Sequence, residues 1–229
     1  MPAAEIASLG SLIADRTRVE ILCVLMDGRA HTGGELARYV GVSTSTASEH
    51  LARLLDAAVV RVEAQGRHRY FQLADRHTAE LLELLGAVST PLTPTTGRTA
   101  RRLSHARSCY DHLAGVVAVN IYDGLIGNRC LILDEDQTAL TDTGRNLFTE
   151  LGIDVESVVA SKRPTVRRCL DWTERRHHLA GALGAALFDT MLTNEWIRPG
   201  QEPRSIQIST EGTKALHRHF GLAVLPPIR

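Results

Sequence analysis

The chain has 229 residues, 44% of them hydrophobic, with 26 basic and 26 acidic side chains. That is apolar material for one large domain or two small ones. A net charge of zero excludes recognition of nucleic acid by bulk charge and leaves local patches and two-fold repetition. No run approaches the ~18 consecutive apolar residues of a membrane span. Met1-Pro2-Ala3-Ala4-Glu5 lacks the basic start of an export signal. The four cysteines, Cys23, Cys109, Cys130 and Cys169, form no Cys-x-x-Cys pair and are too scattered for a disulfide scaffold. A cytoplasmic, reduced protein with no membrane partner is expected.

Taken in order, Ile6, Leu9, Leu12 and Ile13, then Val19, Leu22, Cys23, Leu25 and Met26, show helical spacing in two pieces. Asp15 is placed to cap the second piece, with Arg18 and Glu20 facing out and Cys23 buried in the apolar stripe. Asp27-Gly28 stops it. Thr32 and Glu35 make a capping box for a helix whose buried face is Leu36, Tyr39 and Val40. Gly41 supplies a turn that needs positive φ. Ser43 caps the next helix, in which Ala47, Leu51, Leu54 and Leu55 face inward. Thr44, Ser45, Thr46, Ser48, Glu49, His50 and Arg53 remain outside. Val59 to Glu63 and Tyr70 to Leu73 alternate, as a two-strand hairpin turning at Gly66 does. Gln65, Arg67, His68 and Arg69 sit at its tip. Asp75 then caps a long helix whose wide apolar face, Leu81, Leu82, Leu84, Leu85 and Val88, suits dimerisation together with the first helix.

This order is that of a winged helix-turn-helix. The helix after Ser43 is the candidate reader of the major groove: Glu49 and His50 suit base edges, while Ser43, Thr44, Ser45, Thr46 and Ser48 suit phosphates. Arg53 extends that face. Arg67 and Arg69, flanked by Gln65 and His68, are placed to meet phosphate from the wing.

Residues 12 to 89 resemble the ArsR/SmtB family of bacterial transcriptional regulators. The carrying stretches are Asp15-Arg16-Thr17-Arg18-Val19-Glu20-Ile21-Leu22, Glu35-Leu36-Ala37, Ser48-Glu49-His50-Leu51-Ala52-Arg53-Leu54 and Gly66-Arg67-His68-Arg69-Tyr70-Phe71. The resemblance implies a homodimer on a two-fold-symmetric operator in double-stranded DNA, usually a repressor released by its effector. The departures are informative. Metal sensors of the family often place a thiolate pair in the helix occupied here by Glu35 to Val40, which has no cysteine. Others use an Asp-x-His with a distant His pair in the dimer helix. Asp75-x-His77 is present, but Leu81 to Ser89 holds no histidine. Ala57-Ala58-Val59 stands where a glycine usually follows the recognition helix.

Pro91, Pro94 and Gly97 mark a boundary. The expected domains are a winged helix over 1–90, a Pro/Thr then Arg-rich linker over 91–107, and a C-terminal domain over 108–229. The linker carries Arg98, Arg101, Arg102, His105 and Arg107 and no acid. It reads equally as a solvated lead into a helix and as an arm touching phosphate or closing over the wing. Beyond it lies an internal repeat, about 109–155 and 169–224. His112-Leu113-Ala114-Gly115 recurs as His178-Leu179-Ala180-Gly181, Tyr122-Asp123 as Phe188-Asp189, and Asn128 as Asn194. Leu140-Thr141-x-x-Gly144 recurs as Ile208-Ser209-x-x-Gly212, and Gly152-Ile153 as Gly221-Leu222. Each unit reads as helix, hairpin, helix, the hairpins turning near Asp134-Glu135-Asp136 and Pro199-Gly200-Gln201. The expected class is therefore mostly α with small β-hairpins, α+β.

With 15 acids against 13 bases in residues 108–229, this half is not a second DNA reader. A sensing or dimerisation role fits, with a pocket where the repeats meet. Each repeat opens on a polar lead-in, Cys109-Tyr110-Asp111-His112 and Cys169-Leu170-Asp171-Trp172 followed by His177-His178. Cys109 and His112, three apart, suit one helical face. If the repeats pack about a pseudo-dyad, Cys109, His112, Cys169 and His178 converge as a donor set for Zn²⁺ or another soft divalent metal. The same region also suits an organic effector walled by Tyr110 and Trp172, a Cys109–Cys169 redox switch, or plain packing in an architectural dimerisation domain without ligand. No phosphate loop, nucleophile elbow or His-Glu-x-x-His occurs, so no enzyme is expected.

Overall fold

The computed structural model describes residues 2–89, 97–134 and 137–222. It is a mixed α+β structure in two compact units, Met1–Leu82 and Glu83–Arg229. The expected linker prolines Pro91 and Pro94, the turn residues Glu135 and Asp136, and the last residues of the second repeat lie outside the described residues.

In the first unit, α1 (Ala3–Ile13) is followed by α2 (Arg16–Leu25), whose N-cap Asp15 accepts from Arg18 N at 2.9 Å. Arg18 does not face out. It is 6% exposed, and its guanidinium donates to the carbonyls of Leu12 and Ser11, which the end of α1 leaves without helical partners. Cys23 is exposed rather than buried: α2 buries Ile21, Leu22, Val24 and Leu25, and position 23 falls off that arc. The α3 helix (Gly33–Val40) starts from a complete capping box of Thr32 and Glu35, worth about 1 kcal/mol. Its buried residues are Leu36 and Ala37, while Tyr39 is 47% exposed and stands edge-on to His31. Gly41 has the left-handed φ of 72° that ends α3. Ser43 caps α4 (Thr44–Asp56), accepting from Thr46 N, and Ala47, Leu51 and Leu54 bury its inner face.

The wing is β2 (Val60–Gln65) with β3 (His68–Leu73), antiparallel and turning at Gly66. A third strand, β1 (His31–Thr32), pairs with the other edge of β3, so the sheet order is β1-β3-β2. Two residues are too few to show alternation in a sequence. The division between the units falls inside α5 (Arg76–Val88), which begins after the Asp75 cap.

In the second unit, α6 (Arg98–His105) is tied by Arg102 to Glu202 at 2.7 Å. Arg107 belongs to no arm: it is fully buried. The repeat follows, with one element more per copy than expected. The first copy is β4 (Arg107–Cys109), β5 (His112–Ala114), α7 (Val116–Gly127), β6 (Leu131–Asp134), β7 (Gln137–Leu140) and α8 (Asp142–Glu150). After α9 (Val155–Ala160), the second is β8 (Arg167–Leu170), β9 (His177–Ala180), α10 (Gly181–Thr193), β10 (Ile197–Pro199), β11 (Ile206–Ile208) and α11 (Thr210–Phe220). A hairpin thus precedes each apolar helix, and His112 and His178 are strand residues rather than helical ones.

The copies agree in detail. Asn128 and Asn194 end the apolar helices, and Arg129 and Glu195 follow with φ of 56° and 55°. Thr141 and Ser209 cap the last helices by accepting from Gly144 N and Gly212 N. Those glycines are required: a Cβ would stand 2.2 Å from the Cys130 carbonyl oxygen and 2.0 Å from that of Trp196. One core unites the copies, with Val117, Ile121, Leu125 and Phe148 meeting Leu183, Leu187, Met191 and Phe220. The first helix of each copy packs on the opening hairpin of the other, α7 on β9 and α10 on β5. That exchange brings the two hairpins side by side.

Candidate functional site

The residues expected to face DNA occupy one helix and one wing. Ser43, Thr44, Ser45, Ser48, Glu49 and Arg53 are exposed, and Thr46 is half-buried. Hydroxyls interlink at the helix start: Ser43 Oγ lies 2.8 Å from both Ser45 Oγ and Thr46 Oγ1, and Ser48 Oγ donates to Thr44 O. His50 is set back from this face, half-buried with its Nδ1 3.7 Å from Asp15. On the wing, Gln65, Arg67, His68 and Arg69 are all exposed, and the Arg69 guanidinium lies over the Phe71 ring. A cation over an aromatic face is held there by the ring's quadrupole.

The second constellation lies in the C-terminal unit. Hairpin β4–β5 turns in two residues, Tyr110 and Asp111, so Cys109 and His112 are direct cross-strand partners. Tyr110 holds φ at 61°, a conformation costly for a bulky residue. Hairpin β8–β9 repeats the pairing as Cys169 opposite His178, across a longer turn. The ligand atoms of Cys109, His112, Cys169 and His178 all lie within 4.8 Å of one another. The two Sγ atoms are 3.9 Å apart and the imidazole centroids 5.1 Å. The residues come together as a pseudo-dyad requires, but by cross-strand pairing instead of helical spacing.

The surroundings orient the imidazoles. His112 Nδ1 meets Asp111 Oδ1 at 3.1 Å, and Asp111 also pairs with Arg163 at 2.8 Å. His178 Nδ1 lies 3.6 Å from Asp171, whose carboxylate accepts from Gly115 N at 2.7 Å and Arg107 at 3.0 Å. Among the described residues, Nε2 of His112 and both ring nitrogens of His178 are buried without a hydrogen-bond partner. Unpaired buried donors and acceptors carry a desolvation cost, which a ligand atom meeting these nitrogens would offset. Burial and the neighbouring sulfur push the Cys109 thiol up. The hydrogen bond from Cys109, aided by the adjacent imidazoles, draws Cys169 down toward thiolate. Burial alone would lower His112, but Asp111 and Cys169 overcome it and raise the ring to about 9. The donor set can hold a metal ion.

Tyr110 sits in the turn between Cys109 and His112, and Trp172 lies against other groups. Trp172 stacks on the Arg107 guanidinium, 4.5 Å from its ring centroid, and lies against Gly86. A small apolar pocket does open where the repeats meet, lined by Leu113, Ala118, Ile121, Leu179, Leu187 and Phe188, with neither Tyr110 nor Trp172 on its wall. Asp111 and Asp171 are functional positions absent from the expected site. The signal was there: each lies two residues after its cysteine, once per repeat.

A capped helix, a glycine turn, a second helix with an exposed polar face and a basic wing define a DNA-binding winged helix-turn-helix regulator. Residues 15–62 match the model of the bacterial regulatory proteins of the arsR family. The HTH-type transcriptional regulator YdfF of Bacillus subtilis (strain 168), itself uncharacterized, is 40% identical over 222 residues, 96% of this chain and 98% of YdfF. The chain therefore belongs to the ArsR family of transcriptional regulators, a non-enzymatic family, and carries a long region beyond its DNA-binding part. CmtR of Mycobacterium tuberculosis (strain H37Rv), also an HTH-type transcriptional regulator, is 38% identical over 89 residues, 37% of this chain and 75% of CmtR. The solution structure of the cadmium metal-sensor CMTR from the same species covers 40% of this chain and 91% of its own, at 34% identity and a TM-score of 0.32. No helix among the described residues is long and apolar enough to cross a membrane.

Proposed function

We propose that this chain works in the cytoplasm as a homodimeric repressor on a two-fold-symmetric operator, released when an effector occupies the Cys109, His112, Cys169 and His178 cluster. Residues 1–90 read DNA and dimerise, and 108–229 sense. The observation that carries the reading is the convergence of these four side chains from two separate hairpins. In the winged helix, Ser43 to Arg53 enters the major groove. Glu49 is the base-reading residue, the hydroxyls and Arg67 and Arg69 meet phosphate, and His50 acts from behind the face.

Dimerisation is supported by apolar surface that the chain leaves uncovered: Leu84 is 55% exposed, Val88 77% and Ile6 50%. Control is supported by the ties between the cluster's hairpins and the C-terminal turns of α5. Arg204 donates to Ser108 O, beside Cys109, and pairs with Glu83 of α5. Arg175, in the turn between Cys169 and His178, donates to the carbonyls of Ala87 and Ser89. A change at the cluster therefore has a physical route to the dimer helix, and two arrangements of that helix would differ in operator affinity.

The test compares His112→Ala with the parent protein on operator DNA selected from random sequence. The variant binds DNA as the parent does and no longer responds to the effector. A variant that responds normally places the effector site elsewhere.

A further inference from the structure

We infer that the Cys109–His112–Cys169–His178 cluster is a closed, four-coordinate site for one thiophilic divalent cation, of which Zn²⁺ is the type. The inference rests on the effector reading above only for its regulatory meaning; the site itself stands on geometry.

The spacing selects among ligands. A tetrahedral ion with metal–sulfur bonds of about 2.3 Å separates its two thiolates by about 3.8 Å, and the sulfurs here are 3.9 Å apart. A disulfide needs about 2.05 Å, so a covalent bond would require the hairpins to close on each other. A linear two-coordinate ion would need the sulfurs further apart and would leave both imidazoles unused. The imidazoles are what an ion would complete, because their free nitrogens are buried and unpartnered. Asp111 on Nδ1 of His112 leaves Nε2 for the ion, the carboxylate–histidine arrangement that fixes a metal-binding ring. Charge also balances. Two thiolates cancel a divalent cation, so the filled site adds no net charge to a buried region.

All four positions are taken by protein, so no coordination site is left for water or substrate. The ion's work is to tie hairpin β4–β5 to hairpin β8–β9. This site uses neither the α3 helix nor the Asp75-x-His77 pair at the start of α5.

The test uses full-length protein, stripped with a chelator and titrated without oxygen with Co²⁺ and then Zn²⁺. The expected result is the intense visible absorption of tetrahedral Co²⁺ with sulfur charge transfer, saturating at one equivalent per chain and bleached by Zn²⁺. Cys109→Ser and Cys169→Ser each abolish it. Because those variants can fail to fold, the parent spectrum counts by itself: no uptake, or the faint absorption of octahedral Co²⁺, overturns the site. A saturated tetrahedral spectrum with unchanged affinity for operator DNA upholds the site and overturns the effector role.

Discussion

Cys109 and Cys169 lie sixty residues apart in the chain and place their sulfurs 3.9 Å from each other. They hold equivalent positions in two copies of one hairpin, each directly across from a histidine, and the exchange of α7 and α10 between the hairpins sets their separation. Loading the site should therefore shield both sulfurs at once. In protein treated with a thiol-alkylating reagent, Zn²⁺ should protect Cys109 and Cys169, while the exposed Cys23 reacts in either state. Mass spectrometry of the labelled peptides reads the outcome, and labelling of Cys169 at an undiminished rate would count against coordination.

Asp111 holds His112 in the orientation that frees Nε2. Asp111→Asn should keep the tetrahedral Co²⁺ spectrum and weaken affinity about 10-fold or more. Competition with a chromophoric chelator gives the number, and unchanged affinity would reduce Asp111 to a surface partner of Arg163.

Gly144 and Gly212 open the last helix of each repeat with a carbonyl oxygen where their Cβ would be. Gly144→Ala and Gly212→Ala should each cost about 1–3 kcal/mol, as other overpacked sites do. Gly10 is helical with nothing within 4 Å of its Cβ position, so Gly10→Ala should stabilise by about 0.5–1 kcal/mol. Urea denaturation of the three variants checks the contrast in sign.

The winged helix was legible because its signals are local. Capping residues, a turn glycine and an alternating hairpin are written in consecutive residues, and Asp15, Thr32, Gly41 and Ser43 do in the structure what their identities suggest. The misread positions, Arg18, Cys23 and Tyr39, depend on which side of a helix meets its neighbours, a tertiary matter. The repeat was legible from His112 and His178, yet its opening strands were not. Three- and four-residue strands carry too little alternation to register, and a Cys-x-x-His spacing serves a helix face and a two-residue hairpin equally well.

Arg67 and Arg69 project from the wing with no acidic partner among their described contacts. Replacing both with alanine should weaken binding to all DNA sequences alike and reduce the slope of log affinity against log salt by up to ~2. An unaltered slope would remove the wing from the interface. Glu49→Ala should instead change which sequences are selected.

Arg175 joins the second hairpin's turn to the last carbonyls of α5. Arg175→Ala should leave Co²⁺ uptake intact and diminish the effect of the metal on operator affinity. Loss of uptake would show that Arg175 supports the site itself and not its coupling.

The most direct measurement is fluorescence anisotropy of a labelled operator, selected from random DNA, titrated with metal-free protein and with protein carrying one Zn²⁺ per chain. Coupling of the usual size predicts affinity lower by about 5- to 150-fold in the loaded form. Coincident binding curves at full Zn²⁺ occupancy would contradict the account.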